Sequence, residues 1–151
     1  MSVYSKNVKK SIYVPINKHK YVGKNIDNIV CRSSLERKFC IIADNSKSII
    51  QWSSECVVIP YFRSYENKKP RFYVMDFWIK KELPGGIVKE YLIEIKPSSF
   101  LHPPKIPKRK TKRYADLVMN YSINVSKWKR AIEYCKEKNM EFSILTEQHL
   151  I

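Results

Sequence analysis

The sequence predicts an α/β domain: a central mixed β-sheet flanked by helices, with elements in the order α-β-β-β-α-β. Three observations point there. Helical spacing of apolar residues occurs once in the first third of the chain and once in the last. Three segments rich in β-branched and aromatic residues lie between them. The 151 residues are 44% hydrophobic and 13% aromatic, enough to build one core and too apolar for a disordered chain.

Residues 1–24 are polar and basic, are interrupted by Pro15 and Gly23, and read as an arm that touches the body. Residues 25–151 then form a single domain. From Cys31 to Asp44, Leu35, Phe39 and Ile42 recur at i, i+4 and i+7, one face of a helix, and Ser33 or Ser34 is a natural N-cap. Residues 48–62 (SIIQWSSECVVIPYF) read as one or two short strands that stop at Pro60. RFYVMDFWIK at 71–80 and VKEYLIEIK at 88–96 are the next strands. LPGG at 83–86 makes them a hairpin, and Pro97 ends it because proline cannot donate to the ladder. Four prolines keep residues 97–113 extended. In the following helix Trp128, Ala131, Ile132 and Cys135 line one face, with Lys127, Lys129, Arg130, Lys136 and Lys138 mostly on the other. Asn139 ends that helix, and residues 141–146 (EFSILT) form the last strand.

The charge is unevenly placed. The chain carries 29 Lys and Arg against 14 Asp and Glu, a net charge of +15. Residues 1–24 hold six lysines and no acid, and residues 97–113 hold six cations and no acid: Lys105, Lys108, Arg109, Lys110, Lys112 and Arg113. The rest is close to neutral. Two basic appendages on a neutral body suit a phosphate backbone, because neutralising phosphates releases condensed counterions. A basic surface that serves solubility alone would not need this clustering. No apolar run reaches the roughly 18–20 residues of a membrane span, and no apolar segment follows the basic N terminus as a secretion signal requires. A soluble, intracellular protein with no membrane partner is expected. Cys31, Cys40, Cys56 and Cys135 form no closely spaced pairs, and His19, His102 and His149 are scattered, so no zinc site is indicated. Cys40 and Cys135 fall on apolar helical faces as buried thiols.

Four charged residues stand where chemistry is expected: Glu36, Asp76, Glu94 and Lys96. Glu94 and Lys96 are two apart on a strand and share a face, with Ile93 and Ile95 on the other. Asp76 lies within the apolar partner strand, between Met75 and Phe77. Two carboxylates brought together on adjacent strands repel, and a divalent cation relieves the repulsion; few carboxylates with waters retained is the Mg²⁺ preference. A neighbouring lysine can activate water or stabilise charge on phosphorus. Each residue also has a plainer reading. Asp76 could pair with Lys96 across the hairpin, Glu94 and Lys96 could line a solvated face, and Ser33-x-x-Glu36 fits a capping box.

A helix Glu, a strand Asp and an E-x-K on the next strand, in this order, resemble the PD-(D/E)XK, or restriction-endonuclease-like, nucleases. RSSLE (32–36), WSSE (52–55), IPY (59–61), YVMDFWI (73–79), LIEIKP (92–97) and FSILTE (142–147) resemble the TnsA-like branch, and within it the small nucleases that complete the heads of large tailed bacteriophages. Met75 stands where the family name has proline. The resemblance implies a restriction-endonuclease-like core and a Mg²⁺-dependent DNA endonuclease, with Mn²⁺ as a possible substitute ion. Asp76, Glu94, the backbone carbonyl of Ile95 and Glu36 would hold the metal, and Lys96 would activate water. Glu55 is read as a structural or supporting acid, Asn124 as a DNA contact and Trp128 as core. DNA, phage head or portal proteins, and a place in the host cytoplasm or on the virion would follow. A non-catalytic DNA-binding assembly protein and a transposase-like cutting subunit remain as alternatives, and the oligomeric state is left open.

Overall fold

A computed structural model describes residues 10–63 and 69–150. The elements are β1 (Ser11–Tyr13), β2 (Ile29–Cys31), α1 (Ser34–Asn45), β3 (Ile49–Ser54), β4 (Val58–Tyr61), β5 (Arg71–Val74), β6 (Phe77–Leu83), β7 (Ile87–Ile95), α2 (Lys112–Glu137) and β8 (Glu141–Leu145). The central sheet has the order β3-β6-β7-β8. Its first two pairings are antiparallel and β7–β8 is parallel, so the sheet is mixed, as expected. The β1–β2 and β4–β5 pairs form two small ladders beside it.

Alternation along the strands builds a core on each face of the sheet. Phe77 and Ile79 of β6 and Ile93 and Ile95 of β7 join Phe39, Cys40 and Ala43 of α1 around Trp52. On the other face Tyr73, Met75 and Leu92 join Ala131 and Cys135 of α2. α1 starts where expected, with the Ser33 hydroxyl accepting from the Glu36 N–H at 3.1 Å.

Three local expectations are corrected. Residues 71–80 are not one strand. The chain pairs with β4 up to Val74 and with β3 and β7 from Phe77, so Met75 and Asp76 sit at the handover. There the Met75 N–H donates to the Val57 carbonyl at 2.8 Å, and the Asp76 carbonyl accepts from the Glu55 N–H at 3.1 Å. The hairpin that follows joins β6 and β7 through Gly85 and Gly86, whose φ of 86° and 76° suits glycine.

The basic arm is also revised. Residues 1–9 lie outside the described residues, but Tyr13 and Tyr21 are buried core members and β1 pairs with β2. Aromatic anchors among the lysines pull this stretch in. Lastly, the extended segment 97–113 is shorter than expected. Ser98–Leu101 makes a 3-10 turn, and α2 begins at Lys112, its N-cap Thr111 accepting from the Tyr114 N–H at 3.2 Å. Lys112 and Arg113 therefore occupy the first helical turn. No helix among the described residues is long and apolar enough to cross a membrane.

Candidate active site

The break between β5 and β6 places Asp76. Phe77 pairs with Ile93, and one step further along that antiparallel register Asp76 falls opposite Glu94. Asp76 Oδ2 accepts a 2.8 Å hydrogen bond from the Ile95 N–H. Glu94 is buried at 5% exposure. Its Oε2 accepts from the Tyr73 hydroxyl at 2.6 Å, and its Oε1 lies 3.6 Å from Lys96 Nζ. The shared face expected of Glu94 and Lys96 is therefore found. Ile93 and Ile95 point into the core under α1.

These groups do not neutralise one another. Burial holds the Asp76 carboxyl well above the usual range, and repulsion from Glu94 and then Glu36 adds to it. Glu36 is likewise raised, chiefly by burial, with Glu55 and Glu94 contributing. Glu36 also serves its helix: Oε2 accepts from the Arg32 N–H at 2.7 Å, one residue before the N-cap. The hydrogen bond of Glu36 thus serves the helix start, while its charge adds to the repulsion at Asp76.

Glu55 pairs with Arg32 at 2.8 Å and adopts φ 55°, a left-handed conformation that costs a non-glycine residue about 1 kcal/mol or more. Its N–H holds the Asp76 carbonyl, so it fixes the backbone that presents Asp76. Trp128 packs against the core under α2, as expected. Lys105, Lys108, Arg109, Lys110, Lys112 and Arg113 are all exposed.

Lys127, expected with the mostly outward lysines of its helix, lies instead along the inner stripe. Ile123, Lys127, Ala131 and Cys135 repeat every four residues, and Ala131 and Cys135 are buried against the sheet. Lys127 Nζ lies 5.3 Å from the Tyr73 ring centre and 6.0 Å from that of Tyr61. Burial lowers its pKa, opposed by the charge of Glu94. Among the described residues it has no hydrogen bond or ion pair. The sequence signal was a lysine in register with an apolar stripe.

No three His, Cys, Asp or Glu side chains among the described residues form a ready-made metal cage. What the site offers is a pair of mutually repelling carboxylates, donors that suit a hard cation keeping part of its water shell.

Residues 46–147 match the family model described as TnsA-like endonuclease N terminal. The chain belongs to this family. It is also similar to the Head completion nuclease of Enterobacteria phage T4, at 39% identity over 142 residues covering 91% of each chain. The TnsA-like match makes the chain an endonuclease with a restriction-endonuclease-like fold, a class that acts on DNA and generally uses a divalent metal. The TnsA-like span contains Asp76, Glu94, Lys96 and Lys127, whereas Glu36 precedes it.

Proposed function

We propose that this TnsA-like endonuclease is Mg²⁺-dependent and cuts DNA during the completion of phage heads, at a site built from Asp76, Glu94, Lys96 and Glu36. One observation carries the reading: half-buried Asp76 and buried Glu94 stand opposite each other on adjacent strands, with their charges incompletely offset. A hard divalent cation removes that repulsion. Asp76, Glu94 and the Ile95 carbonyl would hold the ion, with Glu36 completing the set from α1, and Mn²⁺ would substitute. When bound, the cation polarises phosphoryl oxygens and lowers the pKa of water.

The chain's own residues do the rest. Lys96, beside Glu94, orients the attacking water and offsets charge developing on the phosphoryl group. Tyr73 fixes the Glu94 side chain through its hydroxyl. Lys127, a cation with no anionic partner in hydrogen-bond range among the described residues, is held for the phosphate that arrives with the substrate. Lys105, Lys108, Arg109 and Lys110 follow Lys96 in the chain, and Lys112 and Arg113 sit on the first turn of α2. Cations there oppose the helix dipole by about 0.3–1 kcal/mol each, which a DNA backbone offsets.

The head-completion role is supported by the name of the phage T4 relative. With it come phage head or portal proteins as partners, action in the host cytoplasm and association with the virion. Residues 25–151 form the nuclease domain, whose core the segment around Tyr13 and Tyr21 completes.

Plasmid nicking tests this reading. Wild type should nick with Mg²⁺ or Mn²⁺ and not with EDTA, while Lys96→Ala and Asp76→Asn bind DNA without cutting. Nicking by both variants at the wild-type rate would overturn the site. Salt-sensitive binding by a wild type that never cuts would instead mark a non-catalytic assembly protein.

A further inference from the structure

Beyond the metal site, α2 carries a second cluster that the cutting reaction does not use. The inner stripe of α2 is apolar at Ala131 and Cys135, cationic at Lys127, and becomes Asn124 and Asn120 one and two turns further toward its N terminus. Those two amides, with Leu117 and Tyr121, face the 3-10 turn after β7 across a cavity of about 220 Å³ closed by Phe100 and His102. The volume lies below the roughly 300–1,000 Å³ of sites for drug-sized ligands and suits a single ring system. Neither Asn120 nor Asn124 has a side-chain hydrogen-bond partner among the described residues, although both are half-buried. Half-buried amides without partners are an open donor and acceptor set. Phe100 joins the cavity to the site already described, since Lys96 Nζ lies 6.0 Å from its ring centre.

We propose that this cavity receives one unstacked nucleobase of the DNA next to the phosphate being cut. Phe100 and Tyr121 supply the aromatic surfaces on which a base stacks, and Asn120 and Asn124 read its hydrogen-bonding edge. The exposed cations after Lys96 hold the flanking backbone. The enzyme therefore prefers DNA that already presents an unpaired nucleotide, such as a bulge, flap or frayed end, because there the cost of unstacking is smallest. The proposal rests on the endonuclease reading above.

The test compares binding, in EDTA so that nothing is cut, to a plain duplex and to the same duplex with one unpaired nucleotide. Wild type should bind the second about ten-fold more tightly, within the range that stacking one base provides. Phe100→Ala should reduce that ratio to near one. Should Phe100→Ala fail to fold, the double variant Asn120→Ala, Asn124→Ala loses no packing ring and should bring the ratio down several-fold. A wild-type ratio near one, or a ratio unchanged in a folded variant, would overturn the proposal. Nicking with Mg²⁺, measured alongside, separates the two failures: cutting without the preference removes only the base pocket, and no cutting removes the endonuclease reading.

Discussion

Two buried clusters use the same residue types to opposite effect. Beside the core under α1, Asp44 is fully buried and fully bonded. Its Oδ2 accepts from the Tyr13 hydroxyl at 2.6 Å and the Ile16 N–H at 2.8 Å, and its Oδ1 accepts from the Asn17 N–H at 3.0 Å. Lys20 Nζ donates to the carbonyls of Ala43, Asp44 and Ser46 at 2.7–2.8 Å, closing the C-terminal end of α1. Burial pushes the Asp44 carboxyl up, yet these hydrogen bonds and Lys20 prevail and hold it below the usual range. On the other side of the sheet, Glu94 also accepts from a tyrosine at 2.6 Å, and a lysine again lies near. There, however, Asp76 has one backbone donor and two repelling acids, and its carboxyl is held high. Burial of charge does not distinguish structure from function here; completeness of its partners does.

The largest expected effects come from exchanging the two aspartates' fates. Asp76→Asn removes a charge that Glu94 and Glu36 repel, so metal-free protein should gain thermal stability while cleavage falls about 10³-fold or more. A divalent ion should raise the melting temperature of wild type and leave that of Asp76→Asn nearly unmoved. Asp44→Ala leaves three donors unsatisfied and should cost about 3 kcal/mol, with the cleavage rate per folded molecule kept. Acid separates them further. Asp44 has a lowered carboxyl, so its contribution is complete above the unfolded value near pH 4 and is lost as pH falls through the folded one. Urea midpoints measured from about pH 5 down to pH 2 should fall less steeply in Asp44→Ala than in wild type.

The two lysines sharpen the same contrast at a smaller scale. Lys127→Met keeps the aliphatic stem against the Tyr61 and Tyr73 rings and removes a half-buried cation that has no ion pair among the described residues, so stability should hold or rise. Cleavage should fall about 10²- to 10³-fold if the ammonium meets the phosphate. Lys20→Met strands the carbonyls of Ala43 and Ser46, while that of Asp44 keeps Asn17 Nδ2, and should lower stability by about 2 kcal/mol with little effect on cutting by folded protein. Wild-type cleavage by Lys127→Met would return Lys127 to a packing role.

Much of this contrast was legible in the residues, and the gaps have physical reasons. The period-2 pattern at 88–96 placed Glu94 and Lys96 on one face because successive strand side chains alternate, and the helical spacing of Leu35 and Phe39 placed α1, although Ile42, expected on the same face, is exposed and Ala43 is buried instead. The handover at Met75 and Asp76 was not legible. β5 and β6 are each apolar, and what divides them is a change of pairing partner, a tertiary event. The cluster around Asp44 was missed for a similar reason. Tyr13, Asn17 and Lys20 come from a stretch whose lysines outweighed its aromatics in composition, and only the fold brings it to the end of α1. Lys127 was assigned by its charge when its spacing from Ala131 and Cys135 placed it inside.

The smallest effects, and the closest comparison, belong to the two tyrosines. Tyr13→Phe and Tyr73→Phe each delete one hydroxyl that donates at 2.6 Å to a buried carboxylate. Tyr13→Phe should cost about 1.5 kcal/mol, the low end of the usual worth of a hydrogen bond to a charged group, because the Ile16 and Asn17 N–H groups still hold Asp44. Tyr73→Phe frees an oxygen of Glu94 in the proposed metal site. Its stability loss should be smaller once the ion is present, and the change should appear as a several-fold shift in the metal concentration that gives half-maximal cleavage. Equal stability losses in the two variants, with no movement of the metal titration, would mean that Glu94 is as closed as Asp44.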